Sequence, residues 1–110
     1  MRDPEIIATS NGFAIVSTKS TEAISLDEVS AIVVYKIDAL TTDLVCCEIV
    51  IGAGDTRRTH TVHEGLHGFD AVMVLFEDLP AFNRRWRDEI ILPPFATNRT
   101  VIYNRIASID

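Results

Sequence analysis

The sequence has few cysteines that could cross-link a small protein and no long apolar segment that could attach it to a membrane. Its 110 residues include only two cysteines, Cys46 and Cys47, which are adjacent. Neighbouring residues of a strand point to opposite faces, so these thiols are not placed to bond to each other. We therefore expect two reduced, packed thiols rather than a disulfide framework or a redox pair. A single domain over residues 1–110 is long enough to bury a core without such staples.

Long hydrophobic runs are also absent. The opening residues MRDPEIIATS lack the apolar stretch that a signal peptide needs after its basic residue. No window of the sequence is long and apolar enough to predict a membrane span. Together with the cysteine usage, these absences favour a cytoplasmic protein.

Basic residues are outnumbered. Ten Lys and Arg stand against 16 Asp and Glu, which gives a formal net charge of −6. Contacts with nucleic-acid phosphates need a surplus of Lys and Arg, and so does docking on an anionic membrane. The composition therefore argues against nucleic acid and membrane as partners, and it leaves a protein or a small molecule.

Alternating apolar and polar residues predict strands in the first two thirds of the chain. Two short strands flank Asn11-Gly12, a strong turn signal, and the run 22–26 alternates like a half-buried strand. The segment 29–38 is apolar on both faces at its centre, which is typical of a central strand. The segment 43–51 has one unbroken apolar face, whereas 57–63 is polar and β-branched, as in an edge strand.

Apolar residues at helical spacing predict two helices further along, at 66–79 and 83–91. Pro93-Pro94 ends the second helix, and the segment 100–106 is a candidate last strand. Runs of strands followed by helices favour an α+β fold over alternating strands and helices. We expect a curved antiparallel sheet of four to six strands followed by two C-terminal helices.

One stretch matches a known catalytic motif. His63, Glu64 and His67 fit the zinc-protease pattern H-E-x-x-H, in which both histidines project from one helical face and the glutamate is the base. Here the preceding residues read as a strand, and Gly65 and Gly68 weaken a helix through both histidines. We expect an accidental match, with Glu64 favoured at the start of the following helix. A small metal-dependent hydrolase built on these three residues is the alternative.

No other catalytic set stands out. No serine lies in a Gly-x-Ser-x-Gly turn, and Gly52-Ala53-Gly54 is too short for a phosphate loop. Glu48 interrupts an otherwise apolar face, and we expect it to meet solvent or a base. The sequence predicts no cofactor and no metal, and we interpret its arginines as a paired, solvated surface rather than a basic patch.

Several blocks resemble a family of small uncharacterised bacterial proteins: TTDLVC at 41–46, VHE and GFD within 62–70, and PPFATNRTVIYNR at 93–105. The family has no assigned activity, so the resemblance implies no catalytic residues. The spacing of Ile24, Leu26, Val29 and Ile32, followed by two strands and a helix, is similar to bacterial pleckstrin-homology-like domains. That similarity implies a pleckstrin-homology-like roll, to which this chain adds a second helix and a Pro-Pro tail.

The absence of a convincing catalytic set favours a non-catalytic cytosolic binding or regulatory module. We expect Phe95 to pack near Trp86, and a ligand groove, if the fold has one, to use Trp86, Phe95, Asn98 and Tyr103 on its rim. The competing interpretation is that the tail simply caps the core, since buried aromatic residues are usually packing. A homodimer through a sheet edge or a helix face is a third hypothesis.

Overall fold

A computed structural model of the chain describes residues 4–38, 43–91 and 99–105. The described chain is an α+β domain with two antiparallel sheets and two helices. The first sheet is a meander of three strands in the order β1-β2-β3. These are β1 (Glu5–Ala8), β2 (Gly12–Val16) and β3 (Thr21–Ser25), so the predicted hairpin and the short strand after it are confirmed.

The second sheet has four strands in the order β6-β5-β4-β7. They are β4 (Val29–Asp38), β5 (Asp43–Ile51), β6 (Arg58–His63) and β7 (Thr100–Asn104). The bounds of β4 and β5 agree with the prediction, and β6 lies at an edge as expected. Within the described residues, β4 is central, paired with β5 on one side and β7 on the other.

The prediction of one sheet of four to six strands was wrong, because the described strands number seven and form two sheets. The division falls at the 3-10 turn Leu26–Glu28 between β3 and β4. The hydroxyl of Ser25 accepts a hydrogen bond from the Asp27 amide, and the Glu28 carboxylate accepts one from the Ser25 amide at 3.2 Å. This reciprocal cap fixes a sharp change of direction, so the chain leaves the first sheet and enters the second.

The two helices are shorter than predicted and are not C-terminal. Helix α1 spans Phe69–Phe76 and helix α2 spans Trp86–Ile91. Strand β7 follows them and pairs with β4, which confirms the predicted last strand over Thr100–Asn104. Asn83 precedes α2 as a cap: its side chain accepts a hydrogen bond from the Arg85 amide at 3.0 Å.

The core lies between the two sheets and the helices. Phe13 of β2 meets Phe76 of α1 edge to face, with ring centroids 5.5 Å apart, and both side chains are fully buried. Cys46 and Cys47 are both buried and free, as expected. The other fully buried large side chains come from both sheets and both helices: Ile6, Ile32, Ile49, Ile51, Ile90, Ile102, Val29, Val34 and Val72.

One charged side chain is buried with this core. Lys36 of β4 is only 3% exposed, and its Nζ lies 3.3 Å from Oδ2 of Asp43 at the start of β5. The pair joins β4 to β5, and the Asp43 carboxylate supplies a negative charge beside the buried ammonium group. Among the described residues, no helix is long and apolar enough to cross a membrane.

Candidate functional site

The HEGLH stretch folds as two successive turns rather than as a helix. The Leu66 amide donates to the His63 carbonyl at 3.0 Å, and the Phe69 amide donates to the Leu66 carbonyl at 3.2 Å. Nδ1 of His63 accepts a hydrogen bond from the Gly65 amide at 3.0 Å. His63 ends β6 and His67 lies in the second turn, so the two imidazoles do not share the helical face that the zinc motif requires.

Glu64 has a structural partner. Its amide donates to the Val45 carbonyl at 3.0 Å, and its carboxylate accepts the Val45 amide at 2.9 Å. These two bonds extend the β5–β6 pairing by one residue. The carbonyl of His67 in turn accepts the Ile6 amide at 3.0 Å and ties β1 to the turn. In the parts of the chain that the structure describes, no three His, Cys, Asp or Glu side chains are grouped to hold a metal.

Gly68 has the tightest constraint in this stretch. Its φ is +90°, a region that disfavours side chains, and a Cβ there would lie 1.7 Å from the Ile6 carbonyl oxygen. The glycine therefore allows β1 to approach the turn and lets α1 begin at Phe69. Gly68 therefore serves the folding of this stretch, which forms turns rather than the helix that the zinc motif needs.

The four residues predicted to form the rim of a groove lie in different parts of the chain. Trp86 and Tyr103 are both buried in the core, whereas Phe95 and Asn98 lie outside the described residues. The Arg87 guanidinium stacks on the Trp86 ring, 4.6 Å from its centroid. The predicted contact between Phe95 and Trp86 and a ligand role for these residues stay predictions.

Trp86 also lines a cavity of about 560 Å³ between α1 and α2, beside Met73 and Val74. Both arginines that line this cavity have partners. Arg87 lies 3.7 Å from the Asp70 carboxylate, and Arg84 donates to the Glu77 carbonyl at 3.1 Å. These two guanidinium groups are therefore already engaged within the protein.

A larger cleft, of about 680 Å³, lies at the end of the second sheet where β4 begins, β5 ends and β7 ends. Its apolar lining comes from Ala31, Val50 and Ile51. Ala31 is paired with both Val50 and Asn104, so these strands hold the site rigidly. The polar residues that line it are Asp27, Glu28, Ser30, Thr56, Arg57, Arg58, Asn104 and Arg105, together with the backbone of Gly52 and Ala53.

Arg58 is fixed in the cleft by a residue of the other sheet. Nε and Nη2 of Arg58 donate to one carboxylate oxygen of Glu22 on β3, at 2.9 and 2.5 Å. The other carboxylate oxygen of Glu22 lies 3.1 Å from Nε2 of His60. The hydrogen bonds from Arg58 hold the pKa of the Glu22 carboxyl below its ordinary value, against a smaller effect of burial.

Arg57 differs from Arg58. Its backbone is held by a hydrogen bond from its amide to the Gly54 carbonyl, at the end of the turn Gly54–Thr56. Its side chain is exposed, and within the described residues it has no hydrogen bond or ion pair. The carboxylate of Glu28, in contrast, is held by the Ser25 amide. The cleft therefore contains one arginine that is fixed and one that is available.

The face of the second sheet that points away from the core has its own charge pair. Arg99 donates through both terminal nitrogens to Glu48 at 3.1 and 2.6 Å, so the expectation that Glu48 meets solvent or a base is confirmed. These bonds hold the pKa of Glu48 below its ordinary value. The Arg99 guanidinium also lies over the ring of Tyr35, 5.6 Å from its centroid. Burial raises the pKa of the Cys46 and Cys47 thiols, which favours their protonated, unreactive form.

No family model, curated protein or solved structure matches the chain. The resemblance to a family of small bacterial proteins and the similarity to pleckstrin-homology-like domains therefore stay predictions from the sequence. Sequence reasoning did not identify the cleft, because its lining comes from three stretches, within 27–31, 50–58 and 104–105, that are distant along the chain. The one local signal was the sequence from Gly52 to Arg58, a turn followed at once by two arginines.

Proposed function

We propose that the protein is a non-catalytic binding module that takes a small molecule in the cleft at the end of the second sheet. The observation that carries the proposal is the form of this cleft. Its volume of about 680 Å³ falls within the range of small-molecule sites, roughly 300–1,000 Å³. The cleft also combines apolar residues with polar groups that can orient a ligand, as such sites do, although its lining is richer in polar residues than is usual.

The non-catalytic part of the proposal is supported by the HEGLH turns. The Glu64 carboxylate is bound to the Val45 amide, and Nδ1 of His63 is bound to the Gly65 amide. These groups serve the fold, so the metal-dependent hydrolase is the weaker candidate. Metal analysis of protein purified without a histidine tag tests it: stoichiometric zinc that is lost in His63→Ala or His67→Ala would favour the hydrolase.

The cytosolic location and the pleckstrin-homology-like roll are further parts of the proposal. Two antiparallel sheets of three and four strands support the roll. The placement of β7 after both helices is a departure from that pattern. A homodimer stays a separate hypothesis, which sedimentation at micromolar concentration would test.

The direct test is an NMR screen of the ¹⁵N-labelled protein against a fragment library that contains anionic, cationic and neutral compounds. We expect binders to shift the amide signals of Gly52, Ala53 and Asn104. Ala31→Phe should abolish these shifts by filling the floor of the cleft, because Ala31 lines it. Val101→Phe is the matched control, since Val101 lies on the neighbouring strand and is not part of the cleft lining. A library that shifts no cleft amide would refute the proposal.

A further inference from the structure

We infer that the ligand of this cleft is an organic anion: an apolar body that carries a carboxylate or phosphate group, bound by the guanidinium of Arg57. The inference rests on the proposed function and adds the chemical class of the ligand. Its starting point is the local charge. Three arginines and two acids line the cleft, the charge of Arg58 is balanced by Glu22 beside the lining, and the guanidinium of Arg57 is the positive group left for a ligand.

The three arginines are Arg57, Arg58 and Arg105, and the first two have distinct roles. Arg58 is oriented by Glu22, but this uses only two of the five N–H groups of its guanidinium. It therefore contributes oriented N–H donors at the wall of the cleft, while its charge is balanced by Glu22. Arg57 has no side-chain partner within the described residues, so its planar fork is available for a two-point contact with a carboxylate or phosphate.

The two acids do not reverse this preference. The Glu28 carboxylate already accepts the Ser25 amide as part of the cap at Leu26–Glu28. Asp27 is the second acid, and a cationic ligand would have to rely on it while facing Arg57 and Arg58. Like charges brought together at a binding site repel each other, which disfavours a cation.

The apolar floor limits the ligand further. Ala31 and Val50, which are paired across β4 and β5, offer apolar contacts that inorganic phosphate cannot use. Burial of apolar surface adds to affinity with each methylene group, so an anion with an alkyl or aryl body should bind more tightly than the bare ion. The guanidinium of Arg57 can bind either a carboxylate or a phosphate. The experiment therefore has to distinguish ligands that carry one group from ligands that carry the other.

The test uses four compounds with the same six-carbon body, hexanoate, hexyl phosphate, hexanamide and hexylamine, and inorganic phosphate as a fifth. Titration of the ¹⁵N-labelled protein gives a Kd from the amide shifts of Gly52 and Ala53. We expect at least one six-carbon anion to bind about tenfold more tightly than hexanamide, because a charged two-point hydrogen bond replaces a neutral one. The relative affinity of hexanoate and hexyl phosphate shows whether the cleft prefers a carboxylate or a phosphate. Inorganic phosphate should bind more weakly than hexyl phosphate.

Variants assign the contact to Arg57. Arg57→Gln should weaken anion binding about tenfold and leave hexanamide unchanged, whereas Arg57→Lys should retain part of the difference. Arg87→Gln is the matched control, an exposed arginine that lines the cavity between α1 and α2, and it should bind like the wild type. Hexanamide or hexylamine binding as tightly as the anions, or anion binding that survives Arg57→Gln, would overturn this inference and leave the binding module intact. No shift at cleft amides with any compound would overturn both.

Discussion

Glu22 on β3 and Arg58 on β6 join the edge strands of the two sheets, because two nitrogens of Arg58 donate to one carboxylate oxygen of Glu22. The two residues are 36 positions apart in the sequence. His60, two residues after Arg58 on the same face of β6, approaches the other oxygen at 3.1 Å. The Glu22 carboxylate thus links the two sheets beside the candidate cleft, which Arg58 lines.

The first prediction concerns pH. Arg58 lowers the pKa of Glu22 in the folded protein, so its contribution to stability is present above the unfolded pKa and is lost as pH falls through the folded value. Both side chains are more than a third exposed, which limits the pair to about 1 kcal/mol or less. We expect Glu22→Gln to be less stable than the wild type at pH 7, and the difference to vanish near pH 3.

Urea unfolding of both proteins at a series of pH values measures this difference. Asp55→Asn is the control, an exposed carboxylate in the turn Gly54–Thr56, and it should follow the wild type throughout. A difference between Glu22→Gln and the wild type that is the same at pH 3 and pH 7 would show that the ionised carboxylate is not the cause.

The second prediction concerns the turn that replaces the zinc motif. Gly68→Ala would place a methyl group 1.7 Å from the Ile6 carbonyl oxygen, at a φ of +90°. The clash lies on backbone atoms, so we expect a loss of about 3 kcal/mol in the free energy of unfolding. Gly54→Ala is matched in backbone conformation, with φ +57°, but no atom lies within 4 Å of the new Cβ. It should cost about 1 kcal/mol. Equal losses in chemical denaturation would show that β1 does not approach the turn so closely.

Local pattern was enough to predict the strands, and long-range geometry was not predictable. Strands β4 and β5 were placed correctly because alternation over nine or ten residues is a strong, local signal. The split into two sheets depends on the Ser25–Glu28 cap, whose Ser-x-x-Glu pattern is visible in the sequence but does not by itself predict a change of sheet. The cleft and the Glu22–Arg58 pair depend on which strand edges meet, and one sequence does not specify that.

Lys36 is another residue whose surroundings could not be predicted from the local pattern. It is also the subject of the third prediction. Its position on β4 follows from alternation, but its burial and its pairing with Asp43 of the next strand depend on tertiary packing. Asp43→Ala removes the carboxylate that lies 3.3 Å from its ammonium group, and we expect a loss of about 3 kcal/mol. The double variant Lys36→Met with Asp43→Leu should recover most of this loss, because the buried charge is removed as well. Chemical denaturation of the wild type and the two variants is the measurement, and a double variant no more stable than Asp43→Ala would contradict this explanation.

The last prediction concerns strand β7, which determines whether the tail is part of the fold. Ile102 is 2% exposed in the core and its carbonyl accepts the Asn83 amide at 2.8 Å, whereas its neighbour Val101 is 56% exposed. Ile102→Ala should therefore cost about 2–5 kcal/mol, and Val101→Ala no more than about 0.5 kcal/mol. Ending the chain after Leu92 removes both residues together with the β4–β7 pairing, so we expect loss of the cooperative thermal transition. A truncated protein as stable as the full chain would place β7 outside the fold, and the Asn104 and Arg105 side of the cleft would be lost with it.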